Sequence, residues 1–467
     1  MKKISLLVVS LLLSSPVFAG DEVSADTGVK LSNSCNITKN VKTDTLNLAD
    51  VIELSMCNNP NTRQAWLSTK VGETAYKASL AGYYPQLSAN ASYQKSKSND
   101  YVVDSDGEVS RGKVAEAGLS LSWLLYDFGK REAGVEKTFQ SMNSTKFQYN
   151  DTLQQVAYDT IVAYYDALSA VEELAAVKAN EEASLKSFEL ASKKFELGMS
   201  SKADTLQTET TYGETQLATT RQEQVVRNAN AKLAKMLGLP PSQEIKLAPS
   251  FANASDDVID KSVEELVNIA MARRPDLQAK MASVKASYAG VRSASATYYP
   301  TVSAFGSKTW DDVTDPKFNS LSSDKDGYVV GVKVSMPIFT GFENTYSLRN
   351  AKYQYAAEKE ALQALQQDVE LGVVNAYNQY KTSVKSLSIA KKLFESAVEN
   401  EKVALGSYKA GKGDIISLME AQSKLLSARK ELISSQYGLY TSKIALLKSV
   451  GELNLQNLGA FYIEEGV

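Results

Sequence analysis

The chain has 467 residues, with 51 Lys or Arg against 54 Asp or Glu and no His. That balance leaves no basic footprint for nucleic acid, and without imidazole the commonest general base and metal ligand are missing, so neither an enzyme nor a cofactor or metal site is expected. Gly and Pro number only 25 and 10, a composition that favours long helices.

Residues 1–19 read as a secretory signal peptide: Lys2 and Lys3 precede an apolar run over 4–13, and Val17-Phe18-Ala19 forms a small-residue cleavage site. Gly20 and Asp21 follow, and the first cysteine is Cys35, so a lipid anchor is not expected. No later stretch approaches the roughly 20 consecutive apolar residues of a membrane-spanning helix. Residues 20–45 are expected to form an N-terminal periplasmic segment.

Two copies of one design follow, 46–239 and 263–450. Pro60 matches Pro275, and Tyr83-Tyr84-Pro85 matches Tyr298-Tyr299-Pro300, at a separation of 215. Gly118 then matches Gly331, Tyr164 matches Tyr377 and Gly198 matches Gly411 at a separation of 213. An ordered series of this kind marks an internal repeat.

In each copy a helix leads to Tyr-Tyr-Pro and then to a period of two. Leu87, Ala89, Ala91 and Tyr93 alternate with Ser88, Asn90 and Ser92, and Leu119, Leu121 and Trp123 alternate with Ser120 and Ser122. These predict a β-hairpin over about 86–126 and another over about 301–339, each closed by a polar loop, "KSNDYVVDSDGEVSRGK" and "DDVTDPKFNSLSSDKDG". A soluble sheet would need apolar helices to cover it, whereas each strand here continues into a long polar helix. A secreted chain with such strands fits an outer-membrane barrel, apolar outward and polar inward. Four strands cannot close one, since barrels begin at about eight, so copies must combine. Tyr83, Tyr84 and Pro85, with Tyr298, Tyr299 and Pro300, mark the points where the chain enters lipid: amphipathic rings suit the interface, and the residue before proline is pushed out of helical geometry.

From Lys130 the chain runs without proline past Phe195, enough for a helix on the order of 100 Å. Gly198 ends it, Ser200 or Ser201 caps a returning helix, and Gly238-Leu239-Pro240-Pro241 stops that one. Copy two repeats the hairpin with its tip at Gly411-Lys412-Gly413. The linker 240–262 and the tail 451–467 lie outside the copies and are expected to pack around the middle of the rods. The run 406–412 imitates a phosphate loop, but Gly413 stands where Ser or Thr is needed and no strand precedes it. Cys35 and Cys57 face an oxidising compartment, and a bridge between them is the favoured reading; the alternative is that Cys57 is a small buried helix residue like its counterpart Ala272.

With these marks in place, the chain resembles the TolC family of outer-membrane efflux proteins over nearly all of its mature length. The residues that carry the likeness are Met56 to Pro60 and Met271 to Pro275, the paired strand entries, "WLLYDFGK" and "MPIFTGFEN" leaving the strands, and the tips "FELGMSSKADTLQTE" and "YKAGKGDIISLMEAQ". The resemblance implies an α+β membrane protein. Its long helical hairpins form a periplasmic tunnel, and its four strands per chain contribute to a trimeric, 12-stranded barrel in the outer membrane. It further implies a homotrimer working with a periplasmic adaptor and an inner-membrane pump, ABC-type or proton-driven, as the exit duct for small molecules or secreted polypeptides. The adaptor would dock on the tips, Gly198, Met199 and Ser200 with Gly411, Lys412 and Gly413. A closed entrance would be built from Asp204, Tyr408, Ser417 and Glu420, with Gly413 in place of an arginine and Asp414 or Lys412 compensating. A periplasmic adaptor or structural coiled coil is the rival reading; it explains the helical hairpins and leaves the two tyrosine-flanked strand pairs without a role.

Overall fold

The computed structural model of the chain describes residues 45–100, 108–248, 261–314 and 322–453. The expected signal peptide, Cys35, the two loop tips, most of the linker and most of the tail lie outside the described residues. Among the described residues eight α-helices and four strands follow in order: α1 (Leu48–Asn58), α2 (Pro60–Leu80), β1 (Gln86–Asp100), β2 (Glu108–Tyr126), α3 (Lys130–Glu196), α4 (Lys202–Met236), α5 (Val263–Arg273), α6 (Pro275–Ala296), β3 (Thr301–Thr314), β4 (Ser322–Ser335), α7 (Glu343–Lys409) and α8 (Ile415–Val450).

The leading helix of each copy is two helices rather than one. Asn59 and Arg274 are held extended (ψ 127° and 125°) by the proline that follows, and that proline opens the next helix at a position where its missing N–H costs nothing. Asn59 caps α2 through its side chain, which accepts from Asn61 N at 2.9 Å, and its amide donates to Met236 O at 3.1 Å, tying the break to the end of α4.

The four strands form one antiparallel sheet in the order β1-β2-β3-β4. The ladder runs further than the sequence pattern suggests: Lys97 to Asp100 pair with Glu108 to Arg111, and Asp311 to Thr314 pair with Ser322 to Lys325, all within the segments expected as polar loops. Backbone pairing does not require apolar side chains, so the hairpins continue once the apolar alternation has stopped. At the other end β4 stops at Ser335, short of the expected 339, ahead of Pro337, which has no N–H to give a ladder.

Helices α3 and α7 are each 67 residues long, about 100 Å. Near the strands the helices lie side by side as α2-α3-α6-α7, and away from them as α4-α3-α8-α7. Where the two rows meet, α5, α6, α7 and α8 bury Leu266, Leu277, Val369, Val373, Tyr380, Leu446 and Val450 as one core. Elsewhere α3 is buried largely through Ala and Ser, including Ala157, Ala163, Ala167, Ala170, Ala176 and Ser184, so helices approach closely along their length. Beside this belt Leu46 pairs with Leu247, its N–H donating to Lys246 O at 2.9 Å, which draws the described ends of the N-terminal segment and the linker together.

Candidate functional site

The sheet presents two unlike faces. Leu87 lies across from Leu121, Ala89 from Leu119, Ala304 from Val332 and Gly306 from Val330, and Leu87, Leu121, Trp123, Val330, Val332 and Val334 are all exposed. On the opposite face Ser88 and Ser120 share a hydroxyl hydrogen bond of 2.7 Å, and Asn90 lies across from Gly118. An exposed apolar face of this extent on a two-faced antiparallel sheet is the lipid-facing surface of a barrel wall. Phe305 departs from the pattern: it lies on the polar face and rests on Gly331, where an added Cβ would stand 2.9 Å from its ring.

Below the strands an aromatic collar meets the helices. Tyr83 closes a short 3-10 turn and Tyr84 is extended, so the helix turns into strand at the two tyrosines. Trp123 Nε1 donates to Tyr83 O at 3.0 Å, and the Arg131 guanidinium lies 4.1 Å over the Tyr83 ring while donating to Gly82 O and Leu124 O at 2.9 and 2.8 Å. Phe128 stacks on Tyr299 at 5.3 Å, which links the collars of the two copies. Each long helix is launched by two successive left-handed residues, Phe128 (φ 52°) with Gly129 in copy one and Gly341 with Phe342 (φ 68°) in copy two. The aromatic occupies a conformation that costs an L-residue about 1–2 kcal/mol, and it does so in both copies with the order reversed.

At the far end both tips close in the same way. Gly198 and Gly411 each have φ 72°, with Met199 N donating to Lys194 O and Lys412 N donating to Ser407 O, a left-handed cap in each case. Nothing lies within 4 Å of a Cβ built on either glycine, so both turns are open to approach. Gly413 differs, since its Cβ would meet Ser407 Cβ at 3.1 Å and Tyr408 N at 3.2 Å.

The residues expected at the entrance gather at these tips but are engaged locally. Ser201, rather than Ser200, caps α4: its hydroxyl accepts from Asp204 N, and Asp204 accepts from Ser201 N at 3.3 Å. Asp414 caps α8, accepting from Ser417 N at 2.7 Å and Ser417 Oγ at 2.8 Å. Those bonds favour the charged carboxylate and hold Asp414 below its ordinary value. Asp204 and Asp414 therefore satisfy free amides of a helix start, with Ser417 as the donor to Asp414, a demand that sequence position alone does not separate from a gate. Glu420 is exposed and pairs with Lys424 one turn along at 2.7 Å.

Tyr408 is buried in a small core with Ile415 and Leu418, and its hydroxyl has no hydrogen-bond partner. Burial raises the pKa of that hydroxyl first, and the charge of Asp204 raises it further. Lys194 sits 4.0 Å over the Tyr408 ring and donates to Tyr408 O at 2.6 Å, stitching the first tip to the second. One turn further in, Gln422 Nε2 donates to Ser187 Oγ at 3.0 Å, both buried. Lys194, Ser187 and Gln422 were not singled out by sequence; nothing in their local pattern sets them apart from other polar helix residues.

A sequence profile described as "Outer membrane efflux protein" matches residues 51–239 and 266–452. The chain belongs to the outer membrane efflux protein family. The two matched spans correspond to the two copies, each a pair of strands joined to a long helical hairpin. Among relatives, it is 27% identical to Protein CyaE of Bordetella pertussis over 88% of this chain and 85% of that one. It is 23% identical to Outer membrane protein TolC of Vibrio cholerae, covering 88% and 92%. The CmeC outer membrane channel of Campylobacter jejuni has the same fold, with a TM-score of 0.77 and 18% identity over 90% of this chain and 88% of that one. As a member of the outer membrane efflux protein family, the chain is an outer-membrane export channel. Its strands lie in the outer membrane and its helices extend into the periplasm.

Proposed function

We propose that three copies close one barrel and one helical tunnel, and that an adaptor in the periplasm and an inner-membrane pump, ABC-type or proton-driven, deliver cargo into its far end. The duct itself is passive; the pump supplies energy and selects between small molecules and polypeptides. The observation that carries this reading is the pair of open lateral edges. In the sheet β1 and β4 are end strands, and a barrel wall in lipid cannot leave a strand edge unpaired. In the lower helix row α4 and α7 are the end helices, and they expose Leu206, Leu217 and Val225 on one side and Leu371, Ile389, Leu393 and Val403 on the other. Joining edge to edge covers both sets at once.

The tips supply the docking surface. Gly198-Met199-Ser200 and Gly411-Lys412-Gly413 expose backbone to a partner hairpin, and the open space at Gly198 and Gly411 suits close approach. One Glu420 from each copy sets a ring of negative charge at the entrance, tempered by Lys424, and favours cations there. Tyr408, with its unpaired hydroxyl near Asp204, is the residue poised to change contacts when the entrance opens. Above the belt, Cys57 bridges Cys35; two free thiols on labelling of the denatured, unreduced protein would exclude it.

Single-channel recording of the purified protein in a planar bilayer tests the reading. A conducting pore is expected, with weaker cation preference in Glu420→Gln and higher conductance in Tyr408→Phe combined with Asp204→Ala. Absence of any channel would overturn the proposal, and unchanged selectivity and conductance in the variants would place the constriction elsewhere.

A further inference from the structure

The two hairpins carry opposite charge at equivalent positions. The repeat carries β1 onto β3 at a separation of 215 and β2 onto β4 at a separation of 213, so Lys97, Arg111 and Lys113 correspond to Asp312, Asp324 and Asp326. Of these, Lys97 and Asp326 fall on the lipid-facing set of the ladder, beyond the apolar stretch that ends at Tyr93. Within the first hairpin the register sets Lys95 across from Lys113 and Lys97 across from Arg111, two successive like-charged pairs that disfavour an isolated hairpin. Lys95 and Lys97 are exposed, and neither has a carboxylate partner among the described residues. Something acidic beside β1 is called for.

The repeat also says what lies there. Within the chain, β2 pairs with β3 so that Gly118 is opposite Thr309. Carrying both positions through the repeat sets Gly331 of β4 opposite Gln94 of β1. These two strands are the free ends of the sheet. The same register puts Val332 opposite Tyr93, Val330 opposite Lys95 and Tyr328 opposite Lys97. Asp326 then lies diagonal to Lys97, within reach of a long side chain. Lys308 already holds Asp326 at 2.8 Å.

We infer that the seam between subunits pairs β4 of one copy with β1 of the next in this register, with Asp326 shared between its own Lys308 and the neighbour's Lys97. The inference rests on the oligomeric reading above and adds to it the register of the seam and the residues that select it. Every boundary around the barrel then joins a basic hairpin to an acidic one, and a boundary between two hairpins of the same kind would bring like charges together. Lys95, opposite Val330, takes no part in the selection.

Oxidative cross-linking of the full-length protein in membranes tests the register. Directly opposite Cβ atoms stand about 4.5–5.5 Å apart and diagonal ones about 7 Å, so only the former lie near disulfide reach. The pair Tyr93→Cys with Val332→Cys is expected to give a covalent oligomer, whereas Tyr93→Cys with Val334→Cys is not. In the same membranes Lys97→Gln lowers the temperature at which the detergent-resistant oligomer dissociates, and Lys95→Gln leaves it unchanged. Efficient cross-linking of the displaced pair, or equal effects of the two lysine substitutions, overturns the inference while leaving the channel reading intact. A monomeric protein on the same gels overturns both.

Discussion

Arg131 ties three elements of the membrane collar together. It donates to two carbonyls, Gly82 O and Leu124 O, and covers the Tyr83 ring, so it joins the end of α2, the end of β2 and the start of α3. Hydrogen bonds from a charged donor are worth about 1.5–3 kcal/mol. Arg131→Met keeps the stem and removes the donors; it is expected to destabilise the folded protein by about 2–3 kcal/mol, read as a lower urea midpoint by tryptophan fluorescence. An unchanged midpoint would show that the collar is held by its aromatic contacts alone. At the tip, Asp414 makes a pH-dependent contribution. Its carboxyl is depressed in the folded chain, so the cap is complete above the unfolded carboxylate value of about 4 and is lost as pH falls through the folded value. Exchange of the Ser417 amide should therefore accelerate, relative to intrinsic rates, as pH is taken from about 6 to about 2, and Asp414→Asn should abolish the change. Protection that is flat over that range contradicts the cap.

Among elements, the long helical hairpins depend on two glycines with positive φ. Gly198 and Gly411 meet nothing within 4 Å, so a side chain there is penalised by backbone conformation and not by collision. Gly411→Ala is expected to cost about 1–2 kcal/mol and Gly411→Asn clearly less, because Asn tolerates the left-handed region. Local amide exchange at residues 407–412 reads the difference; equal effects would argue for a packing cause. A bulky residue at either glycine should also stop export while the oligomer stays assembled, and normal export would remove the tips from the docking surface. Gly413 is the contrasting case, since a Cβ there would stand 3.1 Å from Ser407 Cβ and 3.2 Å from Tyr408 N, so a side chain is met by close packing and not by backbone conformation.

Over the whole molecule, legibility follows the range of the interaction. The period of two from Leu87 to Tyr93, the two Tyr-Tyr-Pro entries and the proline-free runs are local patterns, and they placed the strands, the collar and the rods. The strand limits were misjudged at Asp100 and Glu108 because backbone pairing goes on after the apolar pattern ends. Asp204, Asp414 and Ser417 carry local capping bonds, and the residue types that cap a helix are those that would also line a gate, so sequence position alone does not separate the two roles. Contacts such as Lys194 with Tyr408 and Gln422 with Ser187 join positions more than two hundred residues apart, and no local signal announces them.

The central claim is that this chain completes its barrel and tunnel only by joining its edges to further copies of itself. The most direct measurement is the protein mass of the detergent-extracted particle, with bound detergent subtracted. Three times the mass of the mature chain is the expected result, converting to the single-chain mass only on heating. A particle of one chain, or release of the protein in soluble form by osmotic shock without detergent, would contradict the account.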